Sequence, residues 1–86
     1  MPNAVAQVRV LYFAQAQESC GVAEEHCELP RQTSVEAIFA ALSVLHPPLS
    51  GLLPRCRLAL DHTFVSGAVT LHNGSEIAII PPVSGG

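Results

Sequence analysis

The sequence predicts an α+β domain in which one main helix lies across one face of a mixed sheet, followed by an extended C-terminal tail. Three observations carry this. β-Branched and aromatic runs stand near both ends of the chain, one segment of helical periodicity lies between them, and a proline pair closes the last apolar run before Gly85-Gly86. With 86 residues the chain has room for one domain, 1–86, of which 81–86 form the tail. A chain this short buries only about 60–65% of its unfolded surface, so its core must be well patterned. The composition meets that demand: 49% of residues are hydrophobic and 13% are charged, which sets the body apart from disordered sequences.

Residues 7–14 read Gln-Val-Arg-Val-Leu-Tyr-Phe-Ala, a strand with Val8, Val10 and Tyr12 on one face and Arg9, Leu11 and Phe13 on the other. A break is expected at 18–21, and Glu24-Glu25 reads as a solvated turn. A short second strand at 26–29, ended by Pro30, completes a hairpin with a long loop. Thr33 followed three residues later by Glu36 forms a capping box, each side chain satisfying an orphan backbone N–H. Val35, Ile38, Phe39, Leu42 and Leu45 then recur with the period of an amphipathic helix of about three turns, stopped by Pro47-Pro48. Residues 49–55 read as an irregular or short helical connection. Short strands at 57–61 and 63–65 flank a turn at Asp61-His62. Asn73-Gly74 turns the chain into a last strand at 76–80, ended by Pro81-Pro82. The order β-β-α-β-β-β is that of the ubiquitin-like β-grasp.

The formal net charge is −3 and there is no lysine; the cations are Arg9, Arg31, Arg55 and Arg57. These do not make the basic face that a nucleic-acid partner requires. No apolar stretch approaches the roughly 20 residues of a membrane span, so no membrane association is expected. The N-terminus lacks the basic and apolar regions of a signal peptide, and a cytoplasmic location is the expectation. Cys20, Cys27 and Cys56 are odd in number and show no C-x-x-C spacing, which points to ordinary reduced thiols rather than a disulfide framework or a zinc site. His26, His46, His62 and His72 lack metal-ligand spacing, so no metal site is expected.

The tail is where chemistry is expected. Two prolines favour polyproline II and cannot extend a sheet ladder, so the chain leaves the body at Pro81-Pro82 and runs through Val83 and Ser84 to Gly85 and Gly86. Six extended residues reach on the order of 20 Å. The glycines carry no Cβ, so a narrow tunnel in a partner can admit them and a nucleophile can approach the terminal carbonyl unhindered. A carboxylate is a poor electrophile until it is activated, usually as an acyl-adenylate. The chain has no P-loop, so a partner enzyme would have to supply ATP chemistry.

The run Val-Arg-Val-Leu-Tyr-Phe-Ala-Gln (8–15), the segment Gly-Ser-Glu-Ile-Ala-Ile-Ile (74–80) and above all Pro-Pro-Val-Ser-Gly-Gly (81–86) resemble the MoaD-type sulfur carriers of the MoaD/ThiS family. The resemblance implies a β-grasp with a working C-terminus. An E1-like adenylyltransferase would activate the Gly86 carboxylate with ATP, and a sulfur donor protein would replace AMP to leave a thiocarboxylate. The charged tail would then enter the large subunit of molybdopterin synthase and give sulfur to cyclic pyranopterin monophosphate. The family's complex is a heterotetramer. By the resemblance Gly86, with Gly85, is the reacting tip, the chain binds no cofactor itself, and it is not catalytic alone. A sulfur carrier for thiamine or tRNA thiolation, or a ubiquitin-like modifier joined through Gly86 to lysines, are the alternatives. The chain departs from the family's pattern at Gln17, where arginine is frequent, at Asp61, where asparagine is frequent, and at Ser75, where aspartate is common.

Strand alternation gives a second, independent expectation. If Val8, Val10, Tyr12, Ile77 and Ile79 meet the helix, then Leu11, Phe13 and Ile80 point away from it, and Phe64 can join them from a neighbouring strand. Such a cluster on the open face of the sheet would be a partner site, continued by Pro81, Pro82, Val83 and Ser84 of the tail.

Overall fold

β1 (Val5–Tyr12) alternates strictly between buried and less buried positions, with Ala6, Val8, Val10 and Tyr12 inside. The computed structural model describes residues 4–83. β1 pairs antiparallel with β2 (Glu24–Pro30), Val8 lying opposite Cys27. Between them stands α1 (Ala14–Cys20). β3 (Gln32–Ser34) leads directly into α2 (Val35–Leu45), and two 3-10 turns (Pro47–Leu49 and Leu53–Arg55) carry the chain on to β4 (Arg57–Leu60). β5 (Thr63–Val65), β6 (Ala68–Thr70) and β7 (Glu76–Ile80) complete the order. The main sheet runs β2-β1-β7-β4-β5, with β1 and β7 parallel and its other pairs antiparallel, while β3 and β6 form a small second ribbon.

Val35, Ile38 and Leu42 of α2 share one core with Val8, Val10, Tyr12, Leu58, Ile77 and Ile79. The face assignment expected from alternation therefore holds. A one-residue slip would have turned the charged set Arg9, Glu76 inward, which is why the register is firmly specified.

Several local expectations are corrected. The helix cap is Ser34, whose hydroxyl accepts from Ala37 N at 3.1 Å; Thr33 is held in β3 opposite Val69. Because α2 starts at Val35, the residue immediately before it, Ser34, is the one placed to cap. Leu45 is not core but 53% exposed, because the helix ends there and Leu49 of the following 3-10 turn is buried instead. Residues 18–20, expected as a break, belong to α1, which buries only Ala16; the break is Gly21, in the left-handed region at φ 83° with its N–H on Gln17 O. Such a short helix with a single buried residue leaves almost no periodic signal. Its start is unusual: Ala14 has φ 48°, a left-handed conformation costing a residue with a Cβ roughly 1–2 kcal/mol, which turns the chain out of β1.

Two of the three departures from the family's pattern prove to be turn fixtures. Ser75 is buried and its hydroxyl accepts from His72 N at 2.9 Å, closing the Asn73-Gly74 turn. Asp61 Oδ1 accepts from Glu76 N at 2.9 Å.

Glu25 is not in a solvated turn. It lies in β2 opposite Val10, and its Oε2 accepts from the Tyr12 hydroxyl at 2.5 Å and meets His46 Nε2 at 2.6 Å. The Tyr12 and His46 rings meet edge-on with centroids 5.7 Å apart. The cluster ties β1, β2 and the C-terminal end of α2 together. Burial first, and then the hydrogen bond and charge of Glu25, hold the Tyr12 phenol far above its usual value.

Two predictions follow from these contacts. Ser34→Ala should cost about 1 kcal/mol and lower the melting temperature by about 4–8 °C, with Thr33→Ala costing less; equal effects would reject Ser34 as the cap. For Tyr12, the folded pKa is raised above the unfolded value of about 10. Its contribution is therefore complete below pH 10 and is lost as pH rises further. Burial raises Cys27 and Cys56 too, which adds a loss of the same sign from around pH 9. Tyr12 is the only tyrosine and there is no tryptophan, so phenolate absorbance reports it alone. Urea denaturation across the alkaline range should show a decline in stability that is shallower in Tyr12→Phe. Phenolate absorbance in the wild type should appear only as the chain unfolds, and its appearance in the folded protein near pH 10 would refute the account.

Candidate docking face and tail root

The open face of the main sheet is assembled by register. Leu11 of β1 lies opposite Ala78 of β7, Ala78 opposite Ala59 of β4, and Ala59 opposite Phe64 of β5, so one apolar row crosses four strands. In the next outward-facing row Ile80 lies opposite Arg57. Phe13, the N-cap of α1, stays tied to this end of the sheet through its N–H to Ile79 O at 3.3 Å. Phe13 and Phe64 are 46% and 48% exposed, while Leu11 and Ile80 are half-buried. Contiguous exposed aromatic and aliphatic surface of this kind marks an interaction site.

The opposite end of the same face is polar. Arg9 Nη2 meets Glu76 Oε1 at 2.6 Å, and His62 Nε2 meets Glu76 Oε2 at 2.9 Å. Asp61 and His62 make the β4–β5 turn with φ 47° and 72°, the left-handed pair of a tight hairpin, and this turn sets Phe64 opposite Ala59. The face thus grades from charged to apolar toward the end of β7, where the chain departs.

At that end Pro81 is buried, Pro82 is exposed and Val83 is 94% exposed. Pro81 has no N–H to offer a ladder, and β7 ends at Ile80. The expected partner residues Phe13, Phe64 and Ile80 therefore share the open face of the sheet, and Pro81, Pro82 and Val83 follow directly from the end of β7. Ser84, Gly85 and Gly86 lie outside the described residues.

Of the remaining reactive side chains, Cys56 lines a shallow pocket together with Arg57 and Phe64. Cys20, Cys27 and Cys56 are partly buried. Burial, reinforced for Cys27 by Glu25 and opposed for Cys56 by Arg55, lifts two of these thiols above the ordinary range, away from the thiolate that attack requires. Among the described residues no group of three or more His, Cys, Asp and Glu side chains could hold a metal ion. No described helix is long and apolar enough to cross a membrane.

Sequence reasoning missed Arg57, Ala59 and Ala78 as parts of the face. Their signal was present in strand alternation, but only the pairing of β4 with β7 and β5 brings them between Leu11 and Phe64.

The fold is that of a ubiquitin-like β-grasp protein with an apolar row on the open face of its sheet. The ThiS family profile matches residues 10–86. A molybdopterin synthase sulfur carrier subunit of Chlamydomonas reinhardtii is 39% identical over 82 residues, 93% of this chain and 99% of that protein. The human protein of the same name is 33% identical over 85 residues, 95% of this chain and 97% of its own length. Among solved structures, a Pyrococcus furiosus protein described as molybdopterin converting factor, subunit 1, superposes with a TM-score of 0.80 at 26% identity, covering 91% of this chain and 99% of that one. A complex of subunits 1 and 2 of the molybdopterin-converting factor from Helicobacter pylori gives a TM-score of 0.67 at 21% identity, covering 93% and 99%, a likeness of fold. The chain belongs to the ThiS family, and its homology is to the small, sulfur-carrying subunits of molybdopterin synthase.

Proposed function

We propose that this chain carries sulfur on the carboxyl group of Gly86 and delivers it within a molybdopterin synthase complex. An E1-like enzyme joins the carboxylate to AMP, releasing pyrophosphate from ATP. The terminal sulfur of a donor protein's persulfide then displaces AMP, and a thiol reductant cleaves the remaining S–S bond to the donor, leaving a thiocarboxylate. The large subunit covers the apolar face around Phe13, Phe64 and Ile80, and the tail enters it so that its sulfur bonds to cyclic pyranopterin monophosphate; water then hydrolyses the acyl–sulfur bond, leaving sulfur on the pterin and returning the carboxylate. The chain holds no cofactor in this cycle; ATP belongs to the activating enzyme. One observation carries the reading: the apolar end of the open sheet face coincides with the root of the Pro81-Pro82 segment, so docking of the face and insertion of the tail are one event. The homology to sulfur carrier subunits supports the chemistry at the tip.

Phe13→Asp and Phe64→Asp should each leave the melting temperature within a few degrees, because both side chains are about half exposed. Each should weaken binding of the large subunit by about a hundredfold or more, because a carboxylate would be desolvated there. Unchanged affinity in a calorimetric titration would reject this face as the docking site.

Deleting Gly86 should leave folding and large-subunit binding nearly intact and abolish sulfur transfer. Intact-protein mass spectrometry of the wild type, after incubation with the E1-like enzyme, ATP and a sulfur donor, should show one oxygen replaced by sulfur. An unchanged mass, or conversion of the pterin by the deletion variant, would overturn the proposal. Gly86 found in isopeptide linkage to lysines of other proteins would instead identify a modifier.

A further inference from the structure

Arg57 sits in the middle of the apolar face, which is an unusual place for a cation. It is exposed, lies opposite Ile80, and its guanidinium carbon stands 3.8 Å above the centroid of the Phe64 ring. Phe64 pairs with Ala59, two residues along β4 from Arg57, so the contact is the diagonal cross-strand kind that long side chains make. Stacking covers one flat side of the guanidinium and fixes its plane, while the N–H donors around its edge stay available. The other arginine on this face differs: Arg9 is neutralised by Glu76 at the polar end. Among the described residues no carboxylate pairs with Arg57.

A guanidinium in a patch about to be covered must meet an anion, or its desolvation opposes binding. A planar fork already oriented by an aromatic ring suits a carboxylate, which it can grip through two parallel N–H···O bonds. We propose that Arg57, held by Phe64, is a specificity-determining residue of the docking face, and that it pairs with an aspartate or glutamate side chain on the large subunit. This rests on the docking reading above. It adds that partner choice depends on a charge placed beside the tail root: a partner lacking that carboxylate would have to bury the arginine alone.

Titrations of the large subunit with wild type, Arg57→Gln and Arg57→Glu, at low and moderate salt, test it. Arg57→Gln should weaken binding by about tenfold or more and flatten its salt dependence, and Arg57→Glu should weaken it further. Melting temperatures should stay close to wild type, since Arg57 makes no buried hydrogen bond. Reversing the facing acidic residue of the large subunit to arginine should restore binding to Arg57→Glu. Wild-type affinity and salt dependence in both Arg57 variants would overturn the assignment while leaving the docking face standing. A loss of affinity with unchanged salt dependence would overturn it too, because the arginine would then act through its apolar stem. A wild-type chain that does not bind the large subunit would remove the docking reading and this inference with it.

Discussion

The parallel pairing of β1 with β7 joins Arg9 to Glu76, 67 positions apart, and both faces of the main sheet are organised around it. It sets Val10 beside Ile77 and Tyr12 beside Ile79 on the helix side, where they make the floor of the core. On the other side the same register sets Leu11 beside Ala78 and leaves Phe13 bonded to the backbone of Ile79. Because a strand alternates its faces, one pairing decides both what is buried and what is offered. The core and the interaction surface are two readings of a single register.

The turns act as clamps on that register. Gly74 N donates to Gln7 O at 2.8 Å, and Gln7 N donates to Asn73 Oδ1 at 2.9 Å, so the loop before β7 is fastened to the start of β1. Asp61 and His62 hold the β4–β5 hairpin in a tight left-handed turn, and the Asp61 carboxylate reaches back to Glu76 N. Tyr12, Glu25 and His46 fasten the far end of β1 to β2 and to the end of α2. The Arg9–Glu76 pair fixes the charge at one end of the face, an exposed contact worth only about 0–1 kcal/mol in stability. Its larger effect is to keep the sign and position of charge fixed on the open face.

What the sequence revealed follows the physics of signal length. The alternation of Val8, Val10, Tyr12, Ile77 and Ile79 and the helical period of Val35, Ile38 and Leu42 are patterns sustained over several residues, and both faces were legible from them. α1, β3 and β6 are too short to carry a period, and they form because the framework already holds their ends. The cap moved one residue from Thr33 to Ser34 because the helix starts at Val35, a boundary that the apolar period does not fix to a single residue. Arg57 could be counted as a cation but not placed on Phe64, because that contact depends on which residue of β5 faces Ala59. The reverse held for Glu25: polarity suggested solvent, and only the approach of Tyr12 and His46 made a partly buried carboxylate tolerable.

β7 is the central strand of five, with β1 on one flank and β4 on the other, and the chain leaves the body from its end. The position matters mechanically. A segment hung from an edge strand can be peeled away one hydrogen bond at a time. A pull on the segment beyond Ile80 instead acts along a strand gripped on both sides, and it loads the β1 and β4 ladders in shear, so many bonds must fail together. A pull on this segment is therefore borne by the whole sheet, and the folded body holds as an anchor.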